Sequence, residues 1–225
     1  IKNIYTDQTN EIMNIINQKN NPKLLEIGCG LGTESLWFSY MGADVDAIDV
    51  NSKRLDCANE RLDILNKIMD FKLTCRFNKK SVLDITDSYD IIWLEQTFHH
   101  LEPRGEIVKK IGEILNKGGH LIIADQNAWN IPLQLQLFKQ RGFPKVVSRV
   151  NEKGDSILYG DERITTAKKL VKLFDQNGIR KKSLRHYRIF PNHKFFDSLY
   201  SIESSNYFNK MIFLYTNYNY VGEKL

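Results

Sequence analysis

The chain is short of cysteine and has no long apolar run, and each shortage excludes something. Three cysteines, Cys29, Cys57 and Cys75, are too few and too scattered for a disulfide framework, which fits a reducing, cytoplasmic setting. None forms a Cys-x-x-Cys pair, which argues against a zinc site. No apolar stretch approaches the roughly eighteen residues that a membrane-crossing helix needs, so no membrane span is expected. The first residues show no signal-peptide pattern, and the chain opens on Ile1 rather than Met, as expected of a processed or trimmed chain. One sign of charge is in excess, at +5, but the basic residues are spread along the chain. Their densest cluster, Arg180 to Arg188, alternates as a strand with one solvated face would.

What is present is a regular alternation of strand-like and helix-like segments. A length of 225 residues suits one α/β domain with a lid. An amphipathic helix is predicted over 6–19, with Ile12, Ile15, Ile16 and Lys19 at helical spacing and Thr6 or Asp7 as N-cap. Strands follow at 23–28, 43–49, about 71–77, 89–94 and 120–125, with helices between them from Thr33, Ser52 and Pro103. The motif Asn116-Lys117-Gly118-Gly119 reads as a glycine cap closing the third of these helices. Residues 126–160 break the rhythm with Pro132, Gly142, Pro144, Gly154 and Gly160 around a short helix at Leu133–Lys139, and read as an irregular lid. A helix capped by Thr165 or Thr166, a strand at about 179–189 and a last apolar run, 210–215, complete the pattern. Such alternation predicts a parallel, doubly wound sheet.

The chemistry concentrates at Glu26-Ile27-Gly28-Cys29-Gly30-Leu31-Gly32-Thr33, where a buried strand breaks into a glycine-rich turn ahead of a helix. Such a turn lets backbone approach a ligand closely. The next strand ends in Asp49, placed to accept hydrogen bonds from both hydroxyls of a ribose. The ligand is therefore a nucleoside-bearing cofactor. A dinucleotide would want its third glycine at position 33, where Thr33 stands, and Glu26 would repel a pyrophosphate. S-adenosylmethionine (SAM) has no phosphate and carries a sulfonium and an ammonium, so Glu26 and Asp49 favour it.

With these residues the chain resembles the class I SAM-dependent methyltransferases. The likeness rests on Glu26 to Gly32, on Asp49, on Tyr89-Asp90-Ile91-Ile92-Trp93 ahead of Phe98-His99-His100-Leu101, and on Leu115 to Ile123. The His-His-Leu feature is most similar to the branch holding quinone-biosynthesis and many small-molecule methyltransferases. The resemblance implies a Rossmann-like seven-stranded sheet of order 3-2-1-4-5-7-6 with the seventh strand antiparallel, and a leading helix, 1–20, over the cofactor pocket. It implies that Gly28, Cys29, Gly30 and Gly32 cradle the methionine part, that Asp49 holds the ribose and that Val50 packs on the adenine. Ser81 and Val82 fall where the family meets the adenine amino group, with Ser81 in place of the usual Asp.

Residues after strand four, from Glu95 to His100, border the transferable methyl in this fold. His99 or His100 is the candidate base for the acceptor's proton, with a structural tie between strand-four loop and next helix as the alternative role. A catechol-type magnesium site would need Glu95, Asp125 and Asn127, but carboxylates at strand ends more commonly bind cofactor or cap turns, so no metal is expected. The adjacent histidines are expected to point apart and to be poor joint ligands. No Asn- or Asp-Pro-Pro-aromatic run follows strand four and no cysteine is placed as a nucleophile, which argues against base methylation. The expected acceptor is a small organic molecule meeting the 126–160 insertion, where Trp129, Leu133, Leu137, Phe138 and Phe143 are candidate cavity residues and Asn127, Asn130 and Gln134 candidate hydrogen-bonding ones. RNA, a protein, or non-catalytic SAM binding are the alternatives. Oligomeric state is not legible.

Overall fold

The computed structural model describes residues 2–150, 156–190, 199 and 210–225, with side chains from Gln8 onward except at 149, 156 and 157. A seven-stranded sheet forms its centre. In chain order the elements are α1 (Lys2–Gln18), β1 (Lys23–Ile27), α2 (Thr33–Tyr40), β2 (Asp44–Asp49), α3 (Ser52–Ile68), β3 (Cys75–Lys79), β4 (Tyr89–Glu95), α4 (Arg104–Ile114) and β5 (Leu115–Gln126). Then come α5 (Ile131–Arg141), the hairpin β6 (Lys145–Val150) and β7 (Ser156–Asp161), α6 (Ala167–Asp175), β8 (Ile179–Tyr187) and β9 (Asn217–Lys224).

The sheet order is β3-β2-β1-β4-β5-β9-β8. Only β9 runs against its neighbours, between β5 and β8. Setting aside the separate β6–β7 hairpin, this is the order 3-2-1-4-5-7-6 expected above. Alternate residues of the central strands point to opposite faces and feed two cores. Leu24, Val45, Ile91, Trp93 and Ile122 meet α1, α2 and α3 through Ile12, Ile16, Phe38 and Leu55. Leu25, Ile92, Leu121 and Ile123 meet α4 and α6 through Ile107, Ile111, Leu170 and Phe174. Strands covered on both faces read as continuous apolar runs, which is why β1, β4 and the second half of β5 were legible.

Several boundaries differ from expectation. The last strand is Asn217–Lys224, whereas Lys210 and the residues to Leu214 form turns, with Met211 and Phe213 exposed. An apolar run was the wrong signal here, because β9 alternates Asn217, Tyr218, Asn219 and Tyr220 and buries all four. One of its polar members finds a distant partner: the Asn219 amide nitrogen donates to the Gln8 carbonyl of α1 at 2.8 Å. A second tie joins α1 to the sheet edge, where Ser183 Oγ of β8 donates to Glu11 at 2.6 Å. Helix α4 ends at Ile114, and the expected glycine cap is instead a bulge in β5, since the pairing steps from Tyr89–Leu115 to Ile91–His120. Pro103 is the N-cap of α4, not its first residue, because its ψ is extended at 121°. Helix α1 begins at Lys2, placing Thr6 and Asp7 inside it, and β3 begins at Cys75 rather than near 71.

The 126–160 segment is more regular than expected. It holds α5, capped by Asn130 accepting from Leu133 N at 2.8 Å, and most of the hairpin. Three β-branched valines, Val146, Val147 and Val150, carried a strand signal that the surrounding Gly and Pro obscured. Among the described residues no helix is long and apolar enough to cross a membrane. The basic run Arg180–Arg188 lies largely on β8, the sheet's edge strand, with β9 and β5 between it and β4.

Candidate functional site

The site grows from the carboxyl ends of β1, β2 and β4, where the strand order reverses. After Ile27 the backbone turns across the end of β2, and both Gly28 N and Cys29 N donate to the Ile48 carbonyl, at 2.8 and 3.1 Å. Two glycines are required by that path. Gly28 has φ +78°, and a Cβ there would overlap the Thr97 side chain. Gly32 caps α2 at φ +73°, with the Phe77 ring 2.5 Å from where a Cβ would lie. Both positions combine a left-handed backbone with a close approach that only glycine tolerates.

The carboxylates ring the resulting cavity, which holds about 500 Å³. Asp49 accepts from Gly30 N at 2.9 Å through one oxygen and from Asn51 N at 2.8 Å through the other. The end of β2 is thereby tied to the glycine turn. Glu26 is buried and accepts from Ser35 of α2. Burial, then the charge of Glu34, push its carboxyl well above the usual range. Burial likewise raises Glu95, the last residue of β4. Glu34 joins them on the cavity wall, and Arg54 and Lys80 bring the opposite charge to it.

Each cofactor residue expected from the sequence lines this cavity except Gly32, which sits behind it as the helix cap. Val50 is half exposed there. Ser81 spends its hydroxyl on a turn of its own: Ser81 Oγ accepts from Leu83 N at 3.3 Å while Asp84 accepts from Ser81 N at 3.2 Å. Sequence reasoning missed Glu34, Arg54, Lys80 and Tyr159. The first three are ordinary helix and loop charges with no local signal, and Tyr159 arrives from the β6–β7 hairpin, which bridges to Leu101.

The histidines part company in burial but not in direction. His99 is enclosed, its backbone N donating to Asp125 at 3.1 Å and its Nδ1 lying 2.5 Å from the same carboxylate. Burial opposes its charge, but Asp125 and then Glu162 outweigh it and hold the imidazolium above its usual pKa. His100 lines the cavity, stacks on Tyr159 with ring centres 4.5 Å apart and directs Nδ1 to the Gly160 carbonyl at 2.9 Å. Burial, then the charge on His99, lower its pKa. The expectation that the two rings diverge is corrected: both Nε2 atoms face Glu162, at 3.5 and 3.7 Å. The backbone folds the pair together in a tight 3-10 turn after β4, with Asp125 and Gly160 orienting each ring from behind.

The oxygen set weighed for magnesium is engaged otherwise. Asp125 serves His99, and the Asn127 amide donates to the Ile212 and Tyr215 carbonyls at 2.8 and 2.9 Å. Trp129, Phe138 and Phe143 are at least half exposed rather than cavity-facing, while Leu137 is buried. Phe138 and Phe143 stack edge-on with each other instead.

A second, larger cavity of about 860 Å³ lies beside the first. Ile131, Leu133, Tyr187, Ile189, Phe213 and Leu214 give it apolar walls, and amides of Gln126, Asn130 and Asn217 punctuate them. Glu95 and Gln96 line both cavities. Gln96 takes φ 47°, unusual for a residue with a side chain, and its N–H is held by the Ala124 carbonyl at 2.8 Å.

The cradle fits SAM. A backbone left bare by glycine, an acidic strand end with acceptor capacity to spare, and a rim rich in carboxylates suit an adenosyl group carrying two positive charges and one carboxylate.

Residues 25–123 match the family described as methyltransferase domain. The chain is 29% identical over 106 residues to methyltransferase GfsG of Streptomyces halstedii, covering 46% of this chain and 37% of that protein. It is 24% identical over 122 residues to 27-O-demethylrifamycin SV methyltransferase of Amycolatopsis mediterranei, covering 53% and 44% respectively. The chain thus spans less than half the length of these two relatives. Among solved structures, the magnesium protoporphyrin IX methyltransferase of Synechocystis PCC 6803 with bound S-adenosylhomocysteine superposes with a TM-score of 0.64 at 12% identity, covering 98% of this chain and 84% of that one. The motif match, the sheet order and the cavity chemistry coincide on the same residues, and the methyltransferase-domain match over 25–123 lies within a sheet of the order expected for class I SAM-dependent methyltransferases.

Proposed function

We propose that this protein binds SAM in the smaller cavity and transfers its methyl group to a small organic molecule held in the larger one. The observation that carries the reading is the shared wall: Glu95 and Gln96 border both cavities at the end of β4. SAM supplies an already activated methyl group, so the chain's work is alignment, exclusion of water and removal of the acceptor's proton.

Each residue then has a task. Asp49 holds the ribose, Gly28, Cys29 and Gly30 carry the methionine part along bare backbone, and Glu26 and Glu95 face its positive charges. Val50, Ser81 and Val82 border the adenine, and Arg54 and Lys80 add positive charge to the same wall. The His99–His100 pair, backed by Asp125, handles the proton, and His100 is the member that reaches the cavity wall. Apolar walls relieved by amides, with Arg188 the cation among the described lining residues, favour a largely apolar acceptor bearing a hydroxyl or amine. The similarity to 27-O-demethylrifamycin SV methyltransferase supports the same acceptor class.

The whole chain, 1–225, acts on this reading as one domain in a reducing cytoplasm. Helix α1 forms a cap, and the 126–160 insertion forms a lid whose hairpin supplies Leu158 and Tyr159 to the cofactor cavity. The side chain of Tyr5, a further expected cap residue, lies outside the described residues. Calorimetry with S-adenosylhomocysteine tests the cofactor, and a mass-spectrometric screen for metabolites gaining one methyl tests the acceptor. Binding of NADH in place of S-adenosylhomocysteine would overturn the reading, and methylation of RNA or protein with no small-molecule product would overturn the acceptor class.

A further inference from the structure

The cluster of His99, His100 and Glu162 has a feature that a proton-handling pair does not require. Asp125 and the Gly160 carbonyl offer only acceptors to the two Nδ1 atoms, so each neutral ring carries its hydrogen there. Both Nε2 lone pairs are left bare. They face a carboxylate, and the three ligand atoms lie within 4.8 Å of one another. With both rings neutral, three acceptors converge there and repel unless positive charge, either a proton on His99 Nε2 or a metal ion, occupies the space. At 3.5 and 3.7 Å the two nitrogen–oxygen separations are long for hydrogen bonds. They are close to the edge of a tetrahedron, about 3.4 Å, whose centre lies 2.0–2.2 Å from nitrogen and oxygen ligands.

The geometry points to a divalent transition-metal site, of the kind zinc occupies, held by His99 Nε2, His100 Nε2 and Glu162, with a fourth position open. Two imidazoles and one carboxylate suit zinc, cobalt or nickel better than magnesium or calcium, which prefer oxygen alone. The outer shell is already in place: a carboxylate behind one histidine and a carbonyl behind the other is the arrangement that orients metal-bound imidazoles. Nearby cations do not claim Glu162, because Arg104 and Arg163 both turn to Glu102. Glu162 itself holds φ 48°, a costly conformation for glutamate, and Arg163 N donates to the His99 carbonyl at 3.2 Å, fixing the loop against the histidine turn. With Glu162 and His100 partly exposed, an ion has a route in.

Such an ion would clamp the loop after β7 to the loop after β4, and so fix Tyr159 on the cofactor cavity. When it is bound, hydroxide formed from water at its open position would take the acceptor's proton and become bound water, in place of an imidazole. The assignment does not depend on methyl transfer, and its test does not measure it.

The test uses full-length protein without a histidine tag, stripped by chelator and titrated with zinc by calorimetry and with cobalt by visible absorption. One equivalent of zinc should bind, and cobalt should give the intense d–d bands of a four-coordinate site without thiolate charge transfer. Glu162→Gln and His100→Ala should each weaken zinc at least tenfold, and Asp125→Asn should weaken it about 10- to 100-fold through the outer shell. Circular dichroism and S-adenosylhomocysteine binding show that the variants remain folded. Substoichiometric zinc in the wild type, thiolate bands with cobalt, or affinity unchanged in Glu162→Gln would each overturn the assignment and leave a proton on His99 Nε2. None of these results would touch the cofactor reading, which fails only if S-adenosylhomocysteine does not bind.

Discussion

Removing the Asp49 carboxylate should abolish useful cofactor binding, and its hydrogen bonds allow the size of the loss to be worked out. An ionised carboxylate offers about four acceptor positions. Two are used by Gly30 N and Asn51 N, at 2.9 and 2.8 Å, which leaves two for the ribose hydroxyls. Hydrogen bonds to a charged group contribute about 1.5–3 kcal/mol each, so losing both in Asp49→Ala costs about 3–6 kcal/mol, or about 10²- to 10⁴-fold in affinity. The same change leaves two backbone N–H groups of the glycine turn without their acceptor, which should also lower the melting temperature. Asp49→Asn is not a mild version of this experiment. Its amide nitrogen must face either Gly30 N–H or Asn51 N–H, donor against donor, so the turn should suffer although the side chain keeps its shape. Calorimetry with S-adenosylhomocysteine and thermal melts of the unliganded variants separate the two effects. Affinity within threefold of wild type in Asp49→Ala would refute the assignment of Asp49 to the ribose.

Gly28→Ala should destabilise the fold by about 2–4 kcal/mol, from the left-handed backbone and the overlap with Thr97, and Thr97→Ser should recover part of it; urea midpoints of the two single variants and the double variant measure this. Glu26 titrates higher folded than unfolded, so the native state binds more protons and stability should fall as pH rises from the ordinary carboxyl value through the raised one. Glu26→Gln should flatten that slope, which melting temperatures across the pH range would reveal; equal slopes in both proteins would refute a raised Glu26 pKa. Leu133→Trp should obstruct the larger cavity, cutting kcat/KM for the acceptor while leaving S-adenosylhomocysteine affinity unchanged, and a matched loss of both would mean that the cavities are not separate.

Legibility in the sequence followed the range of the forces involved. The glycine turn and Asp49 were readable because a left-handed backbone and a strand-end carboxylate each leave a mark on a few consecutive residues. Strand β4 was readable because both of its faces are buried. Strand β9 was not, since Asn217 and Asn219 look like loop residues until Gln8, over two hundred residues away, accepts a bond from one of them. The same holds for Glu162 and Tyr159, which acquire their neighbours only when the hairpin bridges to Leu101. Adjacent histidines on an extended strand would point apart. The tight turn that brings these two rings to within 4.0 Å depends on Asp125, another tertiary partner.

The position of β9 also governs the order of assembly. A ribosome delivers β5 long before the strand that must lie against it, and β8 has no neighbour in the sheet until residues 217–224 emerge. Until then β5 presents an open edge, and α1 lacks the Asn219 amide that ties it down. A nascent chain that stalls before residue 217 would therefore carry a finished cofactor turn on a half-sheet with an adhesive margin. That eight-residue strand works as a keystone, and truncations that remove residues 217–224 should drive the protein into inclusion bodies although they alter no residue of the cofactor cavity.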